Sequence, residues 1–177
     1  GSFADIGCGF GHSTTMIAEQ FSQSSVRGID PHEQSIHEAQ KIAEQKNLNN
    51  LTYEIASAEN YSGEYDIISF FDCLHDMGDP VAAVSYAKTK LKSGGALMII
   101  EPYANDEVSE NFNIIGQMYY SFSTIACVPA SKSQKGGMAL GAQAGLKKLT
   151  NVLNNGGFSK VEMTYKTASN MVIEARV

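Results

Sequence analysis

The 177-residue chain has few cysteines, few basic side chains and no long apolar run. Its three cysteines, Cys8, Cys73 and Cys127, are too few and too scattered for a disulfide framework or a paired-cysteine metal site. We therefore predict no metal and a reducing, cytoplasmic setting. Lysine and arginine number 13 against 19 aspartates and glutamates, which disfavours a nucleic-acid partner because phosphate binding needs clustered basic side chains. The apolar stretches at residues 67–71 and 96–100 fall far short of the ~20 residues of a membrane span, so no membrane partner is expected.

Predicted strands and helices alternate along most of the chain. Hydrophobic residues make up 43% of the sequence, and the length suits one folded domain. The alternation predicts an α/β fold with a parallel sheet, and two strands joined by a polar turn are predicted at the C-terminal end. The predicted strands cover residues 2–6, 26–30, 51–55, 65–71, 96–101, 160–166 and 171–177, and the predicted helices cover residues 12–21, 33–46, 80–91, 112–125 and 146–153.

A glycine-rich loop, Asp5–Gly11, joins the first predicted strand to the first predicted helix. Its glycines let the backbone turn tightly and let a ligand approach without a Cβ in the way. The N-terminus of the following helix offers free N–H groups to a carboxylate or phosphate. Asp30 ends the second predicted strand about 20 residues further on, where such sheets place an acid against ribose hydroxyls. The pattern predicts a nucleotide-containing cofactor at the carboxyl edge of the sheet.

Two kinds of cofactor fit this outline. The dinucleotide fingerprint G-x-G-x-x-G needs glycine or alanine at position 12, where this chain has His12. An acid two residues before G-x-G-x-G resembles instead the first motif of the class I S-adenosylmethionine (SAM)-dependent methyltransferases, including bacterial two-domain small-molecule methyltransferases. The resemblance implies SAM as cofactor and a Rossmann-like three-layer sandwich, with a mostly parallel seven-stranded sheet and an antiparallel strand near the C-terminus. A non-catalytic SAM-binding regulatory module and an NAD-dependent oxidoreductase are the alternatives.

The resemblance also implies which residues hold SAM. In the family the glycine loop packs against the methionine part of the cofactor, an acid like Asp30 holds the ribose, and a loop like Ser57–Glu59 brackets the adenine. Family members often have Asp at the place of Ser57, whose hydroxyl can still accept a hydrogen bond from an adenine amine. The expected cofactor-binding residues are Asp5, Gly7, Cys8, Gly9, Gly11, Asp30, Pro31, Ser57, Ala58, Glu59, Phe71 and Asp72.

The segment Cys73–Pro80 follows the fourth predicted strand and contains the candidate general base, His75. A histidine with an ordinary pKa of about 6.5 can accept a proton at neutral pH. The segment resembles the His-Asp stretch of O-methyltransferases that act on caffeate and other phenols, where the histidine is the base and an acid at the place of Glu101 orients it. The resemblance implies methyl transfer to a small hydrophobic or phenolic acceptor, with O-methylation favoured. Alternatively, His75 shapes the cofactor pocket and Glu101 only caps a strand.

Residues 102–145 show no clean period throughout, and in the family this region covers the substrate. Its aromatic stretch, Met118–Phe122, either lines the acceptor pocket or packs as an amphipathic helix. No base is recognisably spaced to Cys127, which is expected to be an inert buried thiol.

Only about four residues precede Asp5, so residues 1–177 are expected to form a methyltransferase core whose first strand is truncated. A missing N-terminal helical or winged-helix region would allow a homodimer.

Overall fold

A computed structural model describes residues 1–177. Seven strands form one sheet: β1 Ser2–Ile6, β2 Ser25–Asp30, β3 Leu51–Ile55, β4 Tyr65–Phe71, β5 Leu91–Pro102, β6 Lys160–Lys166 and β7 Asn170–Arg176. Their spatial order is β3-β2-β1-β4-β5-β7-β6, with β1 to β5 parallel and β7 antiparallel to both neighbours. This order confirms the predicted mostly parallel sheet with an antiparallel strand near the C-terminus.

Helices cover both faces of the sheet, which gives the predicted three layers. Helices α1 and α2 share a small core with one face, and α3 and α6 share a larger core with the other. None of the helices combines the length and the apolar character that a membrane crossing needs. The α-helices are α1 His12–Gln20, α2 Glu33–Gln45, α3 Pro80–Lys90, α4 Ile114–Phe122, α5 Val128–Lys132 and α6 Gly145–Asn155, and short 3₁₀ turns occupy Leu74–Asp76 and Val108–Asn111.

The central strand β4 is apolar along most of its length, as is usual for a strand in the middle of a mostly parallel sheet. Ile68 and Phe70 are fully buried toward α3 and α6, within a cluster of 21 buried residues. The cluster on the opposite face has only 5 buried residues, and Ile67 of β4 remains 39% exposed there. Most of the hydrophobic stabilisation therefore lies on the α3 and α6 side.

The boundary between α3 and β5 differs from the prediction. The helix ends at Lys90, and Leu91 already belongs to β5, where it pairs with Tyr65. A register shift in β4 between Tyr65 and Ile67 accommodates the segment Ser93–Gly95 inside the strand. These glycines therefore lie in an irregular start of β5 and not in a connection between the predicted helix 80–91 and the predicted strand 96–101.

The predicted helix at residues 112–125 is longer than expected. It begins after Asn113, whose side chain accepts a hydrogen bond from the Gly116 N–H at 2.9 Å. A π-helical turn, Ser123–Cys127, connects α4 directly to α5, so helical backbone continues to Lys132. Pro129 has no N–H to donate to the preceding turn, and the π-helical turn lies just before it. Three residues spaced by four lie on the buried face of this long helix: Ser123, Cys127 and Ser131.

Asp5 connects three elements beneath the glycine loop. Its carboxylate, 1% exposed, accepts hydrogen bonds from Thr14 Oγ1 of α1 at 2.7 Å and from Ser69 Oγ of β4 at 3.2 Å. Burial raises the pKa of Asp5 to about 7, although the two hydroxyl hydrogen bonds oppose the rise. Asp5 therefore fixes the start of α1 against the sheet.

Truncation of Ile68 tests the larger core. We expect Ile68→Ala to lower the free energy of unfolding by about 2–5 kcal/mol, because it removes buried methyl groups and leaves a cavity. The matched control is Ile55→Ala on β3, where the side chain is 49% exposed and the loss should stay below about 1 kcal/mol. Urea unfolding of both variants measures the difference, and equal losses would contradict the assignment of the core.

The raised pKa of Asp5 makes stability depend on pH. Between about pH 4 and 7 the folded protein holds a proton on Asp5 that the unfolded chain releases, so this residue favours folding more as the pH falls. Relative to Asp5→Asn, which removes the charge, wild-type stability should rise from pH 8 to pH 5 by up to about 3 kcal/mol. Chemical unfolding across this range measures the difference. Parallel pH curves for the two proteins would show that Asp5 has an ordinary pKa.

Candidate active site

The glycine loop turns sharply between β1 and α1. Gly7, Gly9 and Gly11 have φ angles of 72°, 53° and 72°, in the left-handed region that favours glycine. A Cβ at Gly11 would collide with the Tyr53 hydroxyl, so the loop packs tightly against β3. Gly9 has no neighbouring heavy atom within 4 Å of the position of a Cβ. The loop therefore leaves open space beside Gly9, where a ligand can approach the backbone.

Asp30 lies directly against this loop at the end of β2. Its Oδ2 accepts a hydrogen bond from the Gly9 N–H at 2.9 Å, and its Oδ1 accepts one from the His32 N–H at 2.8 Å. A carboxylate has about four acceptor positions, so two remain for further donors such as ribose hydroxyls. Asp5, by contrast, lies beneath the loop with both of its oxygens engaged by protein hydroxyls.

A cavity of about 200 Å³ extends from the glycine loop. It brings together expected cofactor residues from separate parts of the chain, namely Gly7, Pro31 and the segment Ser57–Glu59. The hydroxyl and N–H of Ser57 both bind Asn60 Oδ1, at 3.1 and 2.8 Å, which holds this segment in a compact turn. The cavity thus connects the loop that is expected to hold the methionine part of SAM with the loop expected to bracket its adenine.

Three expected cofactor residues lie elsewhere at this edge. Phe71 lines an apolar groove on the α1 face of the sheet together with Phe3 and Met98, separate from the cavity. Asp72 has a φ of 49°, an unusual value for a residue other than glycine, and its carboxylate accepts a hydrogen bond from Asn170 Nδ2 at 3.2 Å. Cys8 is half-buried within the loop, and burial raises the pKa of its thiol.

His75 and Glu101 form a buried pair where β4 and β5 end. The His75 Nδ1–H donates to Glu101 Oε2, while Glu101 Oε1 accepts from the backbone N–H groups of Leu74 at 3.0 Å and His75 at 3.3 Å. The two residues are only 4% and 1% exposed. Because the carboxylate accepts a hydrogen bond from Nδ1–H, the neutral ring has its lone pair at Nε2.

The Glu101 carboxylate also changes the basicity of His75. Burial lowers the pKa of His75, but the hydrogen bond and negative charge of Glu101, together with the charges of Asp76 and Asp72, outweigh it, so the pKa of His75 lies above its ordinary value. Burial raises the pKa of Glu101, and the hydrogen bonds from His75 counter this rise. The pair therefore supplies a histidine that binds protons more strongly than one in water.

Cys127 lies beside His75, which the sequence spacing did not predict. Cys127 Sγ, His75 Nε2 and Asp76 Oδ1 all lie within 4.8 Å of one another. The spacing of Ser123, Cys127 and Ser131 by four residues is the signal that places Cys127 on the inner face of the long helix. Burial, aided by the Asp76 carboxylate, raises the pKa of Cys127 to about 11, so its thiol is protonated at neutral pH.

The segment after α5 is fixed over the turn that carries His75. Gln134 accepts from the Gly78 N–H at 3.1 Å and donates to the Asp76 carbonyl at 2.9 Å. The Met138 N–H donates to the Gly78 carbonyl at 2.9 Å, and Gln134 and Lys135 line the cavity beside the cofactor loops. Residues 102–145 therefore reach across the carboxyl edge of the sheet from the long helix to the cavity.

Comparisons with known proteins agree with this architecture. Residues 2–157 match a protein family described as Methyltransferase domain. A ubiquinone biosynthesis O-methyltransferase of Acinetobacter baylyi is 30% identical over 121 residues, which cover 65% of this chain and 49% of that protein. A trans-aconitate 2-methyltransferase of Deinococcus radiodurans is 30% identical over 105 residues, which cover 59% of this chain and 39% of that protein.

A solved structure shows the same fold. The crystal structure of a putative O-methyltransferase from Nostoc punctiforme superimposes with a TM-score of 0.78 at 19% identity, covering 98% of this chain and 50% of that one. The chain therefore spans half or less of the length of the proteins named here. Since the family match covers most of the chain and the sheet has the expected strand order, the chain belongs to the methyltransferase-domain family of class I SAM-dependent enzymes.

Proposed function

We propose that this protein transfers the methyl group of SAM to a hydroxyl oxygen of a small, weakly acidic acceptor such as a phenol. The observation that carries the proposal is the buried His75–Glu101 pair, which raises the pKa of the imidazole and leaves its Nε2 without a hydrogen bond at the carboxyl edge of the sheet. A phenol with a pKa near ~10 is mostly protonated at neutral pH, so its oxygen becomes a good nucleophile only when a base removes the proton.

The residues around the cavity fit SAM. The glycine loop offers open backbone beside Gly9, Asp30 retains acceptor capacity for ribose hydroxyls, and Ser57–Glu59 line the cavity together with Gly7. Asp5 contributes from beneath the loop by holding α1 in place. When bound, SAM supplies an electrophilic methyl group on a positively charged sulfur.

The proposed role of the chain's own residues is to position the acceptor and remove its proton. His75 Nε2 accepts the hydroxyl proton, and the Glu101 carboxylate stabilises the resulting imidazolium through the Nδ1–H. The inner face of the long helix and the segment over Asp76–Gly78 restrict access of water to this edge, which favours in-line transfer over side reactions. We infer that residues 102–145 cover the acceptor.

The chemistry of the acceptor is inferred from two kinds of support. The curated relative with the longest match named above is an O-methyltransferase of ubiquinone biosynthesis. In addition, a carboxylate acceptor would already be ionised at neutral pH and would gain nothing from a paired histidine base. A non-catalytic SAM-binding module would likewise have no use for a basic, oriented Nε2 at this position.

Replacement of Asp30 tests the cofactor site. We expect Asp30→Asn to weaken SAM binding by about 10- to 100-fold, because hydrogen bonds to a charged acceptor contribute roughly 1.5–3 kcal/mol. Glu33→Ala, an exposed carboxylate three residues away, should bind SAM as the wild type does. Titration calorimetry with SAM and with NAD gives the answer. Binding of NAD but not SAM would overturn the cofactor assignment.

Replacement of His75 tests the proposed base. We expect His75→Gln to lower kcat by about 100- to 10,000-fold for methyl transfer to catechol and caffeate, while SAM affinity stays within about twofold. His37→Gln, with a side chain that is 54% exposed, is the matched control and should retain wild-type rates. Radiolabelled SAM reports the transfer. An unchanged rate in His75→Gln would eliminate the base, and a loss of SAM binding would assign His75 to the cofactor pocket.

A further inference from the structure

The cluster of His75, Asp76 and Cys127 joins two segments that are about fifty residues apart in the sequence. The 3₁₀ turn after β4 supplies His75 and Asp76, and the π-helical turn of the long helix supplies Cys127. Ser131, one helical turn further on, donates to the Met77 carbonyl at 2.8 Å and fixes the helix against the 3₁₀ turn. The three side chains are therefore held together by the backbone of both segments.

Two polar atoms of the cluster have no hydrogen-bond partner. His75 uses Nδ1 for Glu101, while Nε2 makes no hydrogen bond, although the residue is only 4% exposed. Asp76 Oδ1 is buried and also without a hydrogen bond, even though it lies 3.3 Å from His75 Nε2. A buried oxygen without a hydrogen bond destabilises the fold, so a cation between these atoms would be stabilised.

One separation within the cluster matches that expected between two zinc ligands. Nitrogen and oxygen ligands at 2.0–2.1 Å and a tetrahedral angle lie about 3.3 Å apart, which is the separation of His75 Nε2 and Asp76 Oδ1. Metal-binding histidines usually donate their other ring N–H to a carboxylate, as His75 does to Glu101. One nitrogen, one oxygen and one sulfur favour a zinc-type ion over Mg²⁺ or Ca²⁺, which prefer all-oxygen sites.

We propose that His75, Asp76 and Cys127 bind a zinc-type divalent cation, and that this cation switches off the general base. On binding, Nε2 donates its lone pair to the metal, the Cys127 thiol releases its proton to solvent and coordinates as thiolate, and Asp76 coordinates through Oδ1. A metal-bound Nε2 has no lone pair for the acceptor proton, so occupancy inhibits methyl transfer. The inhibition rests on the proposed function, whereas the binding does not.

Titration of the whole chain with Co²⁺ tests the binding directly. We expect one equivalent to produce visible bands of tetrahedral cobalt and a thiolate-to-cobalt charge-transfer band, both abolished by excess Zn²⁺ but not by Mg²⁺. Cys127→Ser should lose the charge-transfer band, and Asp76→Asn, at a partly exposed position, should bind Co²⁺ at least tenfold more weakly. Cys8→Ser should keep the wild-type spectrum. Absence of a saturable spectrum, or an unchanged one in Cys127→Ser, would overturn the proposal.

Methylation assays then distinguish the proposed metal site from the proposed methyl transfer. If catechol and caffeate are methylated, Zn²⁺ should inhibit the wild type, and Cys127→Ser should need at least tenfold more Zn²⁺ for the same inhibition. If the cobalt spectrum forms but no acceptor is methylated, the metal site stands and the proposed function fails. If methylation proceeds without any cobalt spectrum, the proposed function stands and the metal site is wrong.

Discussion

The buried carboxylate of Glu101 is the constraint on which the candidate site depends. A carboxylate with 1% exposure must be fully hydrogen-bonded, since leaving it unpaired would cost several kcal/mol. Glu101 meets this requirement through two backbone N–H groups and His75 Nδ1. These bonds tie the turn after β4 to the end of β5 and orient the imidazole. The long helix and the segment around Gln134 then pack on that same turn.

A second buried carboxylate organises the cofactor half in a similar way. Asp5 holds α1 to the sheet through Thr14 and Ser69, so the glycine loop between β1 and α1 has fixed ends. Asp30 then contacts the loop from outside through Gly9. Asp5 and Asp30 thus have different roles at the ends of neighbouring strands. Asp5 is completely buried, whereas Asp30 can still accept hydrogen bonds from a ligand. The glycine loop and the His75 turn meet at one sheet edge, where donor and acceptor must come together.

Local sequence patterns predicted most of the sheet. Continuous apolar residues in β4 and the alternation of elements were sufficient to predict it, because the central strands of a mostly parallel sheet are rich in apolar residues. The start of β5 and the length of the helix containing Pro129 were not predicted. Glycines and proline usually end regular structure, but here a register shift and a π-helical turn accommodate them. Such adjustments depend on packing between segments and leave little trace in a local pattern.

The candidate site was predictable where one loop carries the chemistry and less so where distant segments meet. The glycine loop and Asp30 follow from spacing alone. The burial of Asp5, the position of Phe71 in a separate groove and the approach of Cys127 to His75 depend on which face of an element each side chain occupies.

The tautomer of His75 tests the central claim most directly. Nitrogen-15 NMR at a pH where the ring is neutral, assigned with His75→Gln, should show a protonated Nδ1 and an unprotonated Nε2. A proton on Nε2 would contradict the role of Glu101 and the proposed base.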